Sequence, residues 1–120
     1  MYSSPPFKNE FKFEDRIVEA KRVLSKYPDR VPIICEPSLF KKNNCPMIDK
    51  RKYLVPKELT IGQFLYAIRK RLQMPPEKAL FLFVNNTIPS TSSLIGEIYN
   101  AHKDADQYLY ISYAQENVFG

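Results

Sequence analysis

The sequence predicts an α+β fold: a four-stranded mixed sheet crossed by a helix, with an extra helical segment in front of it. Three observations predict it. Apolar residues recur at helical spacing from Phe13 to Tyr27 and again from Ile61 to Leu72. Short runs, "VPIICE", "KRKYLV", "ALFLFV" and "YLYISYA", have the length and composition of strands. Their order is helix, strand, strand, helix, strand, short helix, strand, so the first two strands can pair as a hairpin before a helix crosses the sheet.

The first helix carries Phe13, Ile17, Ala20, Leu24 and Tyr27 on one face and Glu14, Asp15, Lys21 and Lys26 on another. Pro28 ends it, and Pro5 and Pro6 break any continuation upstream. In "VPIICE", Val31, Ile33 and Cys35 point one way while Pro32, Ile34 and Glu36 point the other. Apolar residues on both faces mean a strand covered on two sides, or one that offers a face to a partner. "PSLFKKNNCPM" is a loop rich in Pro and Asn. "KRKYLV" stops at Pro56, and a proline that cannot donate to a ladder places this strand at a sheet edge.

"TIGQFLYAIRKRL" reads as the crossing helix. Thr60 and Gln63 form a capping box, and Ile61, Phe64, Leu65, Ile68 and Leu72 form the buried stripe. Arg69, Lys70 and Arg71 fall in the last turn, where positive charge suits the helix dipole, before Pro75 and Pro76 stop it. "ALFLFV" is a third strand, "NNT" at 85–87 a turn in which Asn tolerates left-handed backbone, "SLIGEIYNAHK" a short helix and "YLYISYA" a last, alternating strand. This is the order of a β-grasp, ubiquitin-like fold plus an N-terminal helical extension. The expected organisation is a single domain over 1–120: a helical segment at 1–27, the β-grasp core at 28–113 and a flexible tail at 114–120.

Composition bounds the function. The 120 residues suit one domain with an ordinary core, and the 44% hydrophobic and 26% charged fractions fit a globular chain. A net charge of +5 favours acidic peptides, anionic membranes or nucleic acid without choosing among them. No apolar run approaches the roughly 20 residues that span a bilayer. The N-terminus has no signal-peptide pattern, and Tyr2 stands where myristoylation needs glycine. Cys35 and Cys45 are too few for a disulfide framework, so a cytoplasmic setting is expected.

The residues point away from an enzyme. His102 is the single histidine and lies on a polar stretch, where it reads as solvated. Cys35 sits among Ile and Val and reads as buried and inert; Cys45 has no histidine near it in sequence. No glycine-rich phosphate loop and no metal or zinc spacing is present in the sequence. The basic clusters at 50–52 and 69–71, with Phe81 and Phe83 as stacking platforms, could hold RNA. Phe81 and Phe83 alternate within a run apolar on both sides, so the core reading is preferred and nucleic acid is disfavoured.

"KYPDRVP" at 26–32, "KRKYLVP" at 50–56, "LTIGQF" at 59–64, "IRKRL" at 68–72, "LFLFVNN" at 80–86 and "YLYISY" at 108–113 together resemble the autophagy-related protein 8 family of ubiquitin-like modifiers. This family includes the GABA-receptor-associated protein and the microtubule-associated light-chain type. The likeness runs from Phe13 to Gly120 and implies the same β-grasp fold. It implies a protein that is not itself an enzyme and needs no cofactor. Such a protein is carried as a thioester by activating and conjugating enzymes and joined through Gly120 to phosphatidylethanolamine. A cysteine protease processes and deconjugates it. It moves from the cytoplasm to autophagosome and related membranes, supports their formation, and is a monomer in solution.

The resemblance also implies a docking edge for receptors and adaptors that carry an aromatic, two variable residues and then Leu, Ile or Val. Its aromatic pocket is Glu19, Val23, Pro32, Ile34, Lys52, Leu54 and Tyr108. Its aliphatic pocket is Tyr53, Val55, Pro56, Leu59, Phe64, Ala67 and Ile68. Arg30, Lys50 and Arg69 form a basic rim for acidic flanks. The chain departs from the family in a longer loop between Glu36 and Asp49, with Phe40 and Cys45, and in Ala67 and Tyr108, where a bulkier apolar residue and Phe are usual. Taken alone, "NVFG" is an ordinary chain end. Behind such a core, Gly120 reads as a reactive terminus: it lacks a Cβ, so its carboxylate can enter a narrow enzyme channel, with Phe119 as a handle. The competing readings are a peptide-binding scaffold that is never conjugated and a basic RNA-binding module.

Overall fold

In the computed structural model, residues 5–39 and 47–115 are described. The elements are α1 (Phe7–Glu10), α2 (Phe13–Lys26), β1 (Arg30–Pro37), β2 (Lys52–Pro56), α3 (Ile61–Leu72), β3 (Phe81–Phe83), α4 (Ile95–His102) and β4 (Leu109–Ala114). The sheet runs β2-β1-β4-β3; β1 pairs antiparallel with β2 and parallel with β4, and β3 pairs antiparallel with β4. This is the expected mixed sheet, with β2 at an edge and Pro56 as its last residue.

Register divides the side chains between two faces, since paired residues share a face. Val31, Ile33 and Cys35 lie with Val55, Leu109, Ile111 and Tyr113 in the main core, which takes in Ile61, Phe64, Ile68 and Leu72 of α3 and Ile95 and Tyr99 of α4. On the opposite face, Ile34 and Tyr108 join Phe7 and Ala20 in a smaller buried cluster, with Tyr110 packed against it. The two-sided apolar pattern of β1 therefore reflects cover on both faces. Cys35 is fully buried, and burial pushes its thiol well above the usual range, which leaves it inert as expected.

Thr60 caps α3 by accepting from the Gln63 N–H at 3.1 Å, while the Gln63 side chain accepts from the Thr60 N–H at 2.9 Å. Gln73, in the left-handed region at φ 56°, closes the helix before Pro75. Two glycines permit close approach between the 57–62 and 91–96 segments. A Cβ on Gly62 would stand 3.2 Å from the Thr91 carbonyl oxygen, and one on Gly96 3.0 Å from the Lys57 Cβ. The N–H groups of the same glycines donate to those two residues' carbonyls at 2.9 and 3.0 Å.

Four readings change. The helix α1, nucleated directly behind Pro6, was not expected; at four residues it is too short for periodicity to reveal. Phe13 and Tyr27 are not buried on α2 but 42% and 37% exposed; the buried positions are Arg16 and Ala20. The i,i+4 row that faces the sheet runs through those two, and the Arg16 guanidinium lies 5.6 Å from the centre of the Phe13 ring on the helix flank. The third strand is shortened to Phe81–Phe83, and Val84 and Thr87 bridge around Asn85 and Asn86, both at positive φ. His102 is half-buried rather than simply solvated, with Asn85 Nδ2 2.9 Å from its Nδ1.

Candidate peptide-docking site

The edge strand β2 pairs with β1 on one side, and among the described residues no strand pairs with its other side. The Arg51 carbonyl accepts from Cys35 N–H at 2.8 Å, and Lys57 N–H donates to the Asp29 carbonyl at 3.1 Å. Antiparallel pairing alternates, so Tyr53 and Val55 also bond inward, while Lys52 and Leu54 turn their N–H and C=O outward. Pro56 offers only a carbonyl. An extended segment laid along this edge meets two donors and their acceptors, with room for its own side chains to alternate.

The residues expected to form an aromatic pocket come together on the α2 face. Leu54 sits across from Pro32 and Lys52 across from Ile34, and the parallel pairing of Ile33 with Leu109 brings Tyr108 alongside. Glu19 and Val23 lie one helical turn apart on α2, and Glu19 is close enough to Lys52 and Tyr108 to interact with them electrostatically. Lys52 is exposed, and Leu54, Glu19 and Val23 are half-buried. Glu19 is held by Arg22 in two hydrogen bonds, at 3.1 and 2.8 Å, which lower its carboxyl below the usual range. Ile34 and Tyr108, at 0% and 2% exposed, are floor rather than wall.

The aliphatic set lies on the α3 face. Tyr53 stands edge-on to Phe64, with ring centres 5.6 Å apart. Val55, Phe64 and Ile68 belong to the main core, so the surface a ligand can reach is Tyr53, Leu59 and the exposed Ala67. Pro56 alternates onto the opposite face, beside Arg30, and does not join this set.

The rim is only partly as expected. Arg30 and Lys50 are exposed, and the Lys50 ammonium lies 5.2 Å from the Tyr53 ring centre. The Tyr53 hydroxyl donates to the Lys50 carbonyl at 2.6 Å, which fixes the turn into β2. Arg69 directs Nη1 to the Lys78 carbonyl at 2.7 Å, so it ties the 75–78 turn to α3. Arg71 pairs with Asp49 at 2.9 Å.

Sequence reasoning missed the residues that hold α1 and α2 on the sheet. Arg16 Nε donates to the buried Asp106 at 2.8 Å, and Arg16 Nη1 donates to the Phe11 carbonyl at 2.7 Å. Asp106 also accepts from the Tyr108 N–H at 2.9 Å and the Tyr110 hydroxyl at 2.5 Å. Arg51, just before β2, reaches the Pro5 carbonyl at 3.0 Å and pairs with Glu10. A proline before Phe7 was the one local signal for α1; the Arg16–Asp106 pairing left none.

Gly120, Phe119, Phe40 and Cys45 lie outside the described residues. Among the described residues, no group of His, Cys, Asp and Glu could hold a metal ion, and no helix is long and apolar enough to cross a membrane.

The sequence model of the family described as "Autophagy protein Atg8 ubiquitin like" matches residues 15–120. Over 114 residues, the chain is 53% identical to autophagy-related protein 8 of Candida glabrata, with 95% of each chain covered. It is 54% identical to that of Mycosarcoma maydis, again with 95% of each covered. Its structure superposes on the crystal structure of Trypanosoma brucei ATG8 with a TM-score of 0.85 at 38% identity, covering 93% of this chain and 95% of that one. Plasmodium falciparum Atg8, in complex with a Plasmodium falciparum Atg3 peptide, gives 0.85 at 34% identity over 94% and 98%. With its β-grasp sheet, its N-terminal helices and these matches, the chain belongs to the Atg8 family of ubiquitin-like autophagy proteins.

Proposed function

We propose that the chain is a ubiquitin-like modifier of autophagy, joined through Gly120 to the amine of phosphatidylethanolamine, whose β2 edge receives aromatic-x-x-Leu/Ile/Val segments. Those segments belong to receptors, adaptors and the conjugation machinery. The observation that carries the peptide role is the open edge at Lys52 and Leu54, with apolar side chains on both of its faces. The Atg3 peptide complex of the Plasmodium falciparum protein supports a conjugating enzyme as one partner. A short added strand with two anchors is consistent with low-micromolar binding or somewhat weaker, with rim charges acting mainly on encounter rate.

In conjugation, the Gly120 carboxyl is held as a thioester on an enzyme cysteine. The lipid amine attacks its carbonyl, an amide forms and the thiol leaves. The protein contributes the accessible carboxyl and the docking surface. The attacking and leaving groups belong to others, so the chain acts as a substrate without a cofactor. It works as a monomer in the cytoplasm before lipidation and on autophagosomal membranes after it. A processing cysteine protease completes the cycle.

Titration with an acidic-flanked aromatic-x-x-Leu peptide should shift the NMR resonances of Lys52, Leu54 and Phe64 most. Shifts confined to 69–71, or none, reject the docking edge. Deleting Gly120 should abolish membrane-bound protein in cells while peptide binding persists. Unchanged membrane association favours the non-conjugated scaffold.

A further inference from the structure

The residues that flank positions 40–46 are tied to a single residue of β4. Ser38 N–H donates to the Tyr113 carbonyl at 2.8 Å, and Ile48 N–H donates to the Tyr113 hydroxyl at 3.0 Å. Their neighbours Leu39 and Met47 are apolar yet 78% and 44% exposed. Tyr113 is followed by Ala114, which ends β4 opposite Phe81. The segment 115–120, which carries Gly120, therefore leaves the sheet beside two exposed apolar side chains.

Positive charge gathers at the same end of the molecule. β3 begins there, so the 75–80 segment that leads into it lies there too. Arg71 pairs with Asp49, just ahead of β2, which brings in the last turn of α3. Arg69 donates to the Lys78 carbonyl at 2.7 Å and sets that lysine beside the helix. Lys70, Arg71 and Lys78 are all exposed, and with Arg69 they outnumber Asp49 and Glu77. None of the three belongs to the peptide-docking set.

From this geometry we infer that the end of the sheet from which the tail departs is a contact face for an anionic lipid surface, with Leu39 and Met47 entering the headgroup layer and Lys70, Arg71 and Lys78 meeting its negative charge. The inference rests on the Gly120 conjugation reading and gives the conjugated protein an orientation. Six extended residues reach about 20 Å at most. The other end of β1, at Arg30, lies about 23 Å from the end where the tail begins. A bilayer that holds Gly120 is therefore nearest to this face. Exposed apolar side chains beside basic ones suit the interface of an anionic membrane, where apolar burial and attraction to the headgroups add.

The first experiment measures partition of the full, unconjugated chain onto vesicles of phosphatidylcholine and phosphatidylserine at low salt. Lys70→Gln with Lys78→Gln should lower the partition coefficient by about tenfold or more, since each lysine at an anionic surface is worth about fivefold. Lys26→Gln with Lys57→Gln removes the same charge at the far end and should change it by less than about twofold, because those side chains lie beyond a Debye length of the surface. Leu39→Ser, which keeps the charge, should lower it by about threefold or more. Equal losses in the two double variants would mean attraction to net charge alone and overturn the face. The second experiment conjugates the wild-type chain with purified enzymes to vesicles that contain phosphatidylethanolamine and a gadolinium-chelating lipid. The methyl resonances of Leu39 and Met47 should broaden while the amides of Lys57 and Asn86 stay sharp. Conjugated protein with equal broadening at both ends overturns the face and leaves the Gly120 reading standing. Absence of any lipid-linked product overturns that reading and the orientation with it.

Discussion

The two faces of the sheet are held by different physics. On the α3–α4 face, residues from all four strands and two helices close one continuous apolar core. Burial there is non-directional, and the geometry is fixed by packing. On the α1–α2 face the buried apolar cluster is small: Phe7, Ala20, Ile34 and Tyr108. Its helices are held instead by directed polar contacts, namely Arg16 with Asp106, Lys8 with Asp104, and Arg51 with Glu10 and Glu36. The proposed docking edge lies where the faces meet, with its aliphatic side on the rigid face and its aromatic side on the polar one. One sheet can thus combine a fixed pocket with an adjustable one.

The largest effect expected from this contrast is on the rigid face. Phe64→Ala removes a ring that is 2% exposed and packed on Tyr53. It should cost about 3–5 kcal/mol of stability, the range for truncating a core aromatic, read as a fall in the urea midpoint. Phe7→Ala should cost clearly less, because its cluster is smaller and α1 can detach without unfolding the sheet. Equal losses at the two positions would mean that the faces form one cooperative unit.

What was legible in the sequence follows the same division. Val31, Ile33 and Cys35 on one side of β1 and Pro32 and Ile34 on the other announced a strand covered twice, because alternation is a local property. Pro56 announced the edge, and Thr60 with Gln63 the start of α3. The polar face was hidden because its partners are distant: Arg16 and Asp106 are 90 positions apart. An arginine beside an apolar stripe reads as solvated until its carboxylate is placed. The site residues came from family resemblance, and only packing reveals that Ile34 and Tyr108 lie under Phe7, that Pro56 faces away from its expected set, and that Arg69 caps a turn.

An intermediate effect comes from breaking the buried pair. Arg16→Met leaves Asp106, which has no exposed surface, without its counter-charge. The cost should be about 3 kcal/mol, near the lower end for stranding a buried charge. Adding Asp106→Asn should recover more than half of it, since the amide oxygen still accepts from the Tyr108 N–H and the uncompensated charge is gone. Hydrogen exchange gives the sharper reading. Amides of α2 should lose protection in Arg16→Met while those of α3 keep it, and uniform loss across both helices would erase the distinction between the faces.

The smallest effect is also the most specific to charge. Burial alone would raise the carboxyl of Asp104, but the Lys8 ammonium at 2.6 Å and the Asp106 N–H outweigh it and hold it below the usual range. A carboxyl lowered in the folded state adds stability that is complete above its unfolded value, about 4, and is lost as pH falls through the lower folded value. Lys8→Ala removes the largest lowering contact, so the carboxyl 13C titration midpoint of Asp104 should move up. The stability lost near neutral pH should be about 0.2–1 kcal/mol, as for a partly exposed pair, and should shrink in high salt. A midpoint that does not move would assign the lowering to the Asp106 N–H. Lys8 would then contribute to α1 docking through its contact with Tyr110, whose ring centre lies 4.6 Å from the ammonium, rather than through charge pairing.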